Sequence, residues 1–102
     1  MAHVSTFSFT ALPGKRLSVI KVFEEWDAAE KAKSLGFERS ILVVSNLDAD
    51  RFTAIVFWDT AENYRKNSER PETTAWYQRF RATIASDPEW FDGTIIGDSS
   101  AG

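Results

Sequence analysis

A chain of 102 residues has the length of one domain and can bury a core without covalent staples. It has no cysteine and a single histidine, which excludes a disulfide framework, a thiolate metal site, a cysteine nucleophile and a multi-imidazole metal site within one subunit. The formal net charge is −3, with Lys and Arg scattered among acids, so the basic footprint of nucleic-acid binding is missing, and no apolar run approaches the ~18 residues of a membrane span.

The chain opens Met-Ala-His-Val-Ser-Thr-Phe, with no basic region ahead of a long apolar stretch. No signal peptide is expected, and the cytoplasm is the expected compartment. His3 is read as part of a frayed end. Val4 to Leu12 reads as a strand closed by Pro13-Gly14, with Phe7, Phe9 and Ala11 on a core face and Val4, Thr6, Ser8 and Thr10 on a mixed one. Lys15 to Leu35 reads as a helix: Leu17, Ile20, Phe23, Trp26, Ala29 and Ala32 recur at three- and four-residue steps, and Gly36 follows as a helix-ending residue.

Ser40–Leu47 and Arg51–Trp58 are predicted strands joined by the short polar link Asp48-Ala49-Asp50. The second of them has two apolar faces, Phe52, Ala54, Val56 and Trp58 on one and Ile55 and Phe57 on the other. A sheet with one solvated face alternates cleanly. Here helices are expected to cover one face, and a second copy of the chain, in a closed two-fold dimer, the other. Asp59 and Glu62, at capping-box spacing, open a helix that runs through Tyr64 and breaks at Pro71. A further helix carries Trp76, Tyr77, Phe80 and Ile84 on one side, and Ser86-Asp87-Pro88 ends it. Trp90–Ile96 is the last strand. Residues 1–97 are read as a single domain and 98–102 as a flexible tail. The order strand, helix, strand, strand, helix, strand is that of the ferredoxin-like α+β fold, with a four-stranded antiparallel sheet.

The aromatic content, four Trp and eight Phe among them, must enter a core, an interface or a pocket. The region Tyr64 to Phe80 sets Asn67 and Tyr77 among large rings. It reads either as the wall of a pocket for a flat aromatic ligand or as the core face of an amphipathic helix. The break at Asn67-Ser68-Glu69-Arg70-Pro71 reads equally as a pocket mouth or as a kink that wraps the helix over the sheet. Trp26 and Trp58 can sit near one cavity, or serve core or interface. The pairs Glu24-Glu25 and Asp48/Asp50 read as solvated surface, and Pro13-Gly14-Lys15 as a turn, since a phosphate loop needs more glycines and a Ser/Thr after the Lys.

Several stretches together resemble the antibiotic-biosynthesis monooxygenase family of the dimeric α+β barrel superfamily. They are Ala11-Leu12-Pro13-Gly14-Lys15, Gly36-Phe37, Phe57-Trp58-Asp59-Thr60-Ala61-Glu62, Ala75-Trp76-Tyr77 and Pro88-Glu89-Trp90-Phe91-Asp92-Gly93. The resemblance spans roughly residues 5–97. It implies a ferredoxin-like subunit and a homodimer whose sheets close a barrel. It also implies either cofactor-free oxygenation of aromatic polyketides or quinols, or heme degradation. The heme branch needs a His iron ligand where this chain has Tyr77, a Trp where it has Asn67, and an Asn on the first strand, which has none. In one branch His is expected at Phe91.

The reading carried forward is a cofactor-independent monooxygenase, without metal, that binds a hydrophobic aromatic molecule between sheet and helices. Tyr77 and Asn67 are the candidate catalytic residues, hydrogen-bonding the substrate oxygen. Arg81 or Arg65 would stabilise the anion, and Trp26, Trp58, Tyr64, Trp76 and Phe80 would form the walls. The rival is a non-catalytic ligand-binding or structural homodimer.

Overall fold

The computed structural model describes residues 2–101. It contains β1 (His3–Thr10), α1 (Arg16–Ala29), a 3-10 turn (Lys31–Lys33), β2 (Phe37–Val44), β3 (Arg51–Trp58), α2 (Ala61–Ser68), α3 (Pro71–Arg81) and β4 (Glu89–Thr94). The strands form one sheet in the order β2-β3-β1-β4, every neighbouring pair antiparallel. This is the ferredoxin-like α+β architecture, with the helices packed on one face. Among the described residues no helix is long and apolar enough to cross a membrane.

The period-two pattern of β1 decides which face is covered. His3, Ser5, Phe7 and Phe9 are buried beneath the helices, while Val4, Thr6, Ser8 and Thr10 face outward and are half-buried. At one end of the sheet Phe7, Phe9 and Phe52 meet Val19, Val22, Trp76 and Phe80 in a continuous core. The Phe80 ring is wholly buried, edge-on to Phe9 at 4.8 Å between centroids. Trp76 Nε1 donates to Val22 O at 2.8 Å, which satisfies a buried indole and ties α3 to α1.

Several boundaries differ from the sequence expectation. α1 stops at Ala29, and the chain then tightens into the 3-10 turn. Gly36 serves the entry to β2 with φ at +83°, and a Cβ there would collide with Asp59 and Asn63 side chains. The α2 cap is Thr60, whose hydroxyl accepts from Asn63 N at 3.1 Å, one residue later than the Asp59 box implied. Pro71 occupies the first turn of α3, and Arg70 before it is extended. Ile84 lies beyond α3, bridging to Ala11. His3 is not frayed: it pairs with Trp58 on β3 and Thr94 on β4, and just outside it Ile95 N donates to Ala2 O at 3.0 Å.

The outward face of the sheet carries Val4, Ile41, Val43, Ile55, Phe57 and Phe91, with Phe91 66% exposed. Phe80, by contrast, has no exposed surface. Phe80→Ala is expected to cost about 3–5 kcal/mol of unfolding free energy, through lost burial and the cavity left behind, read from urea denaturation midpoints.

Candidate functional site

Register brings short side chains into one row. Ser40 on β2 is opposite Val56 on β3, Val56 is opposite Ser5 on β1, and Ser5 is opposite Asp92 on β4. The neighbouring row, from Leu42 through Ala54 and Phe7 to Trp90, carries two large rings. Where the short row runs beneath α2 and α3, space remains: a cavity of about 380 Å³. Its floor is Ser5, Ser40 and Val56. Its walls include Trp26 and Phe23 from α1, Trp58 from β3, Tyr64 from α2, Trp76 and Tyr77 from α3, and Trp90 from β4. Aromatic side chains make up more than half of the lining, and none of the lining residues is Asp, Glu, Lys, Arg or His.

The expected residues sort cleanly. Trp26, Trp58, Tyr64, Asn67, Trp76 and Tyr77 all line the cavity. Phe80 does not; it is sealed in the core behind Trp76, with the two rings stacked at 5.5 Å. Nor does Arg81, which lies at the end of α3 and donates to Asp87 Oδ1 at 2.9 Å and to Ile84 O at 3.2 Å. Arg65 is likewise outside the lining. Thus the guanidinium expected to face a substrate anion is engaged elsewhere.

Asn67 has a double role. Its Oδ1 receives Ser34 Oγ at 2.9 Å, Arg70 Nη1 at 3.1 Å and Thr73 Oγ1 at 3.4 Å. A guanidinium can only donate, so the atom facing Arg70 is the carbonyl oxygen, and the amide NH₂ is left for the cavity side. Arg70 also donates to Glu30 Oε1 at 3.0 Å, in a largely buried pair at the end of α1. The break between α2 and α3 is therefore a fastened kink.

A chain of aromatic contacts runs along one end of the cavity: Trp26 against Phe37 at 4.7 Å, Phe37 against Trp58 at 5.8 Å, Trp58 against Tyr64 at 5.8 Å, and Tyr64 stacked on His3 at 4.6 Å. His3, Ser5 and Asp92 were not singled out from the sequence as site residues. Only the register places them beside Tyr64. Burial pushes both tyrosine hydroxyls above their ordinary value. For Tyr64 the bond from Ser5 opposes the rise and Asp92 adds to it; for Tyr77 Asp87 adds to it and Arg81 opposes it. Both are phenols, hence hydrogen-bond donors, at neutral pH.

No protein-family model and no curated protein matches the sequence. Solved structures do share the fold. A variant of SnoaB, a cofactor-independent oxygenase from Streptomyces nogalater, superposes with a TM-score of 0.84 at 22% identity over 95% of each chain. A protein of Chloroflexus aurantiacus, provisionally described as an antibiotic biosynthesis monooxygenase, does so with 0.79 at 20% identity over 100% of each chain. A similarly described protein of Bordetella bronchiseptica gives 0.82 at 16%, over 93% of this chain and 97% of that one. At these identities the likeness is one of fold, and it is the fold that the sequence resemblance implied.

The chain has two tyrosines, so an alkaline absorbance titration reads these two alone. In the native protein both are expected to ionise above the ordinary 10.0, and in denaturant near it. A folded pKa raised above the unfolded one contributes stability that is complete below pH 10 and is lost as pH rises through the folded pKa. Unfolding midpoints should accordingly fall on the alkaline side of pH 10.

Proposed function

We propose that this protein binds an uncharged, planar hydroxyaromatic molecule in the cavity and oxygenates it without a bound cofactor. The observation that carries the reading is the lining itself: an aromatic slot of about 380 Å³ with a few hydroxyls and one amide and no charged side chain. A carboxylate or ammonium group entering it would be desolvated without a partner, whereas a neutral ring with hydroxyl or carbonyl oxygens finds stacking surface and donors. The fold shared with a cofactor-independent oxygenase supports the choice of reaction.

In such chemistry the electrons come from the substrate. Loss of a proton leaves an electron-rich anion that reacts with dioxygen; a ring CH₂ becomes C=O, and the second oxygen atom leaves as water. The protein's tasks are to orient the ring, to exclude water and to stabilise the anion. With Arg81 held by Asp87, stabilisation falls to neutral donors, the Asn67 amide NH₂ and the Tyr77 hydroxyl. A ligand carrier that does no chemistry is the second reading, favoured by the same uncharged lining. Oxygen uptake separates the two.

Four tryptophans, all but one of the wall type expected from the sequence, make binding visible as fluorescence quenching. A neutral tricyclic hydroxyaromatic is expected to quench and to consume oxygen, and its carboxylated analogue to bind at least tenfold more weakly, a difference of about 1.4 kcal/mol. Asn67→Asp keeps the oxygen that Arg70 needs and replaces the cavity-facing NH₂ with a second oxygen. It should stay folded and lose turnover. Full activity in both Asn67→Asp and Tyr77→Phe would remove these residues from the reading.

We further propose that the apolar outward sheet face is covered by a second copy of the chain, so that two sheets pack face to face. Phe57 and Ile55 lie at its centre and Phe91 toward one edge. Native mass spectrometry should give a dimer, and Phe57→Glu, which sets a charge in the middle of that face, should give a monomer with the same circular dichroism. A monomeric parent chain would refute the pairing.

A further inference from the structure

At the Tyr64 end of the cavity lie groups that the aromatic walls do not explain. Ser5 Oγ donates to Tyr64 Oη at 3.3 Å. The Asp92 carboxylate lies close to the same phenol: it sits opposite Ser5 in the sheet and beside the His3 ring that stacks on Tyr64. Ser5 and Asp92 are register partners on one face of the sheet, which sets the carboxylate next to the serine that bonds Tyr64. Asp92 Oδ1 is in turn 3.7 Å from His3 Nε2, and the His3 ring stacks on Tyr64 at 28° between planes. That nitrogen is buried and has no hydrogen-bond partner among the described residues. Around His3, β4 contributes Asp92 and Thr94, α2 contributes Tyr64, and β3 contributes the uncharged Trp58. Ser5 and Tyr64 touch the cavity, while His3 and Asp92 lie behind its wall.

We propose that Ser5, Tyr64, Asp92 and His3 form a proton relay through which a bound hydroxyaromatic loses its hydroxyl proton, with His3 as the terminal base. This rests on the reading of the cavity as a hydroxyaromatic site and adds the base that the uncharged lining lacks. The substrate O–H bond breaks and its proton joins Ser5 Oγ, as the proton of Ser5 passes to Tyr64 Oη. The phenolic proton of Tyr64 passes to Asp92, and Asp92 hands a proton to His3 Nε2. No electrons are transferred. Ser5, Tyr64 and Asp92 end as they began, the substrate is an anion, and His3 is an imidazolium beside the Asp92 carboxylate.

The arrangement has a chemical logic. Tyr64, buried and flanked by a carboxylate, does not keep a negative charge and so conducts the proton without trapping it. His3 is the chain's one imidazole, the side-chain type that most often serves as a general base. Asp92 is 45% exposed, so the proton has a path to solvent once oxygenation is complete.

The test needs no turnover. p-Nitrophenol is colourless as the phenol and yellow as the anion, and the single imidazole gives one set of ring C–H resonances. The titration is run at a pH where the free ligand is mostly neutral. The parent chain is expected to show tryptophan quenching, a yellow bound ligand and an imidazole resonance that moves toward its protonated position relative to the ligand-free chain at the same pH, in equal stoichiometry. His3→Gln and Ser5→Ala are expected to quench as well but to bind the colourless form, with the ionised fraction down about tenfold, one unit of ligand pKa. Ser5→Ala guards against a His3 variant that fails to fold, because it breaks the first step and leaves His3 and Asp92 in place. Quenching with the imidazole resonance unmoved, or an equally yellow ligand in both variants, would overturn the relay and leave the cavity reading standing. An absence of quenching would overturn the cavity reading, and the relay with it.

Discussion

The row Ser40, Val56, Ser5 and Asp92 is the constraint on which the rest of the site depends. A sheet face covered by helices is packed to near-crystalline density wherever its side chains are long enough to meet those above. Along β1 the inward series runs from Phe9 and Phe7 to Ser5, and at that step the core gives way to open volume. The helices cannot sink into the gap. α3 is held to α1 by the Trp76 indole on Val22 O, and the α2–α3 kink is held to the end of α1 through Asn67, Arg70, Ser34 and Glu30. Short residues below and fastened helices above keep the cavity from collapsing.

This geometry also explains why the site is neutral. Apart from His3 at one end, the inward positions of the row and its neighbours are filled by apolar, aromatic or hydroxyl side chains until Asp92 at the edge of the sheet, where a carboxylate keeps contact with water. A charge deeper in would carry a desolvation cost that nothing nearby offsets. The lining itself is uncharged, and a carboxylate and an imidazole stand just beyond one end of it.

Much of this was legible in the sequence. Val, Thr and Phe content with flanking turn residues marked four strands, though β2 runs Phe37–Val44 and not Ser40–Leu47; the two-sided apolar pattern of Arg51–Trp58 marked a strand with apolar side chains on both sheet faces, and Pro71 marked the break between helices. Trp26, Trp58, Tyr64, Trp76 and Tyr77 line one place because large rings on a helix–sheet interface pack together where the sheet's own side chains are short, and Asn67 joins them at the α2–α3 kink. What escaped was whatever depends on register or on a competing local partner. Phe80 differs from Tyr77 by less than one helical turn, but that rotation separates core from cavity. Arg81 found Asp87 six residues on, a surface pairing that spacing alone does not announce. His3 looked like a loose end because strand ends carry weak signals; its burial follows from two cross-strand neighbours, one of them 91 positions away.

The bond between Ile95 N and Ala2 O brings the first and last paired segments of the sheet to the same corner. The molecule is in that sense nearly circular. A short Gly-rich connection could join residue 97 to residue 2, and new ends could be opened in the exposed link between β2 and β3, where Leu47 is almost wholly in solvent. A circular permutant of this kind would retain every strand pairing and would tether β1, the strand that carries Ser5 and His3, at both of its ends.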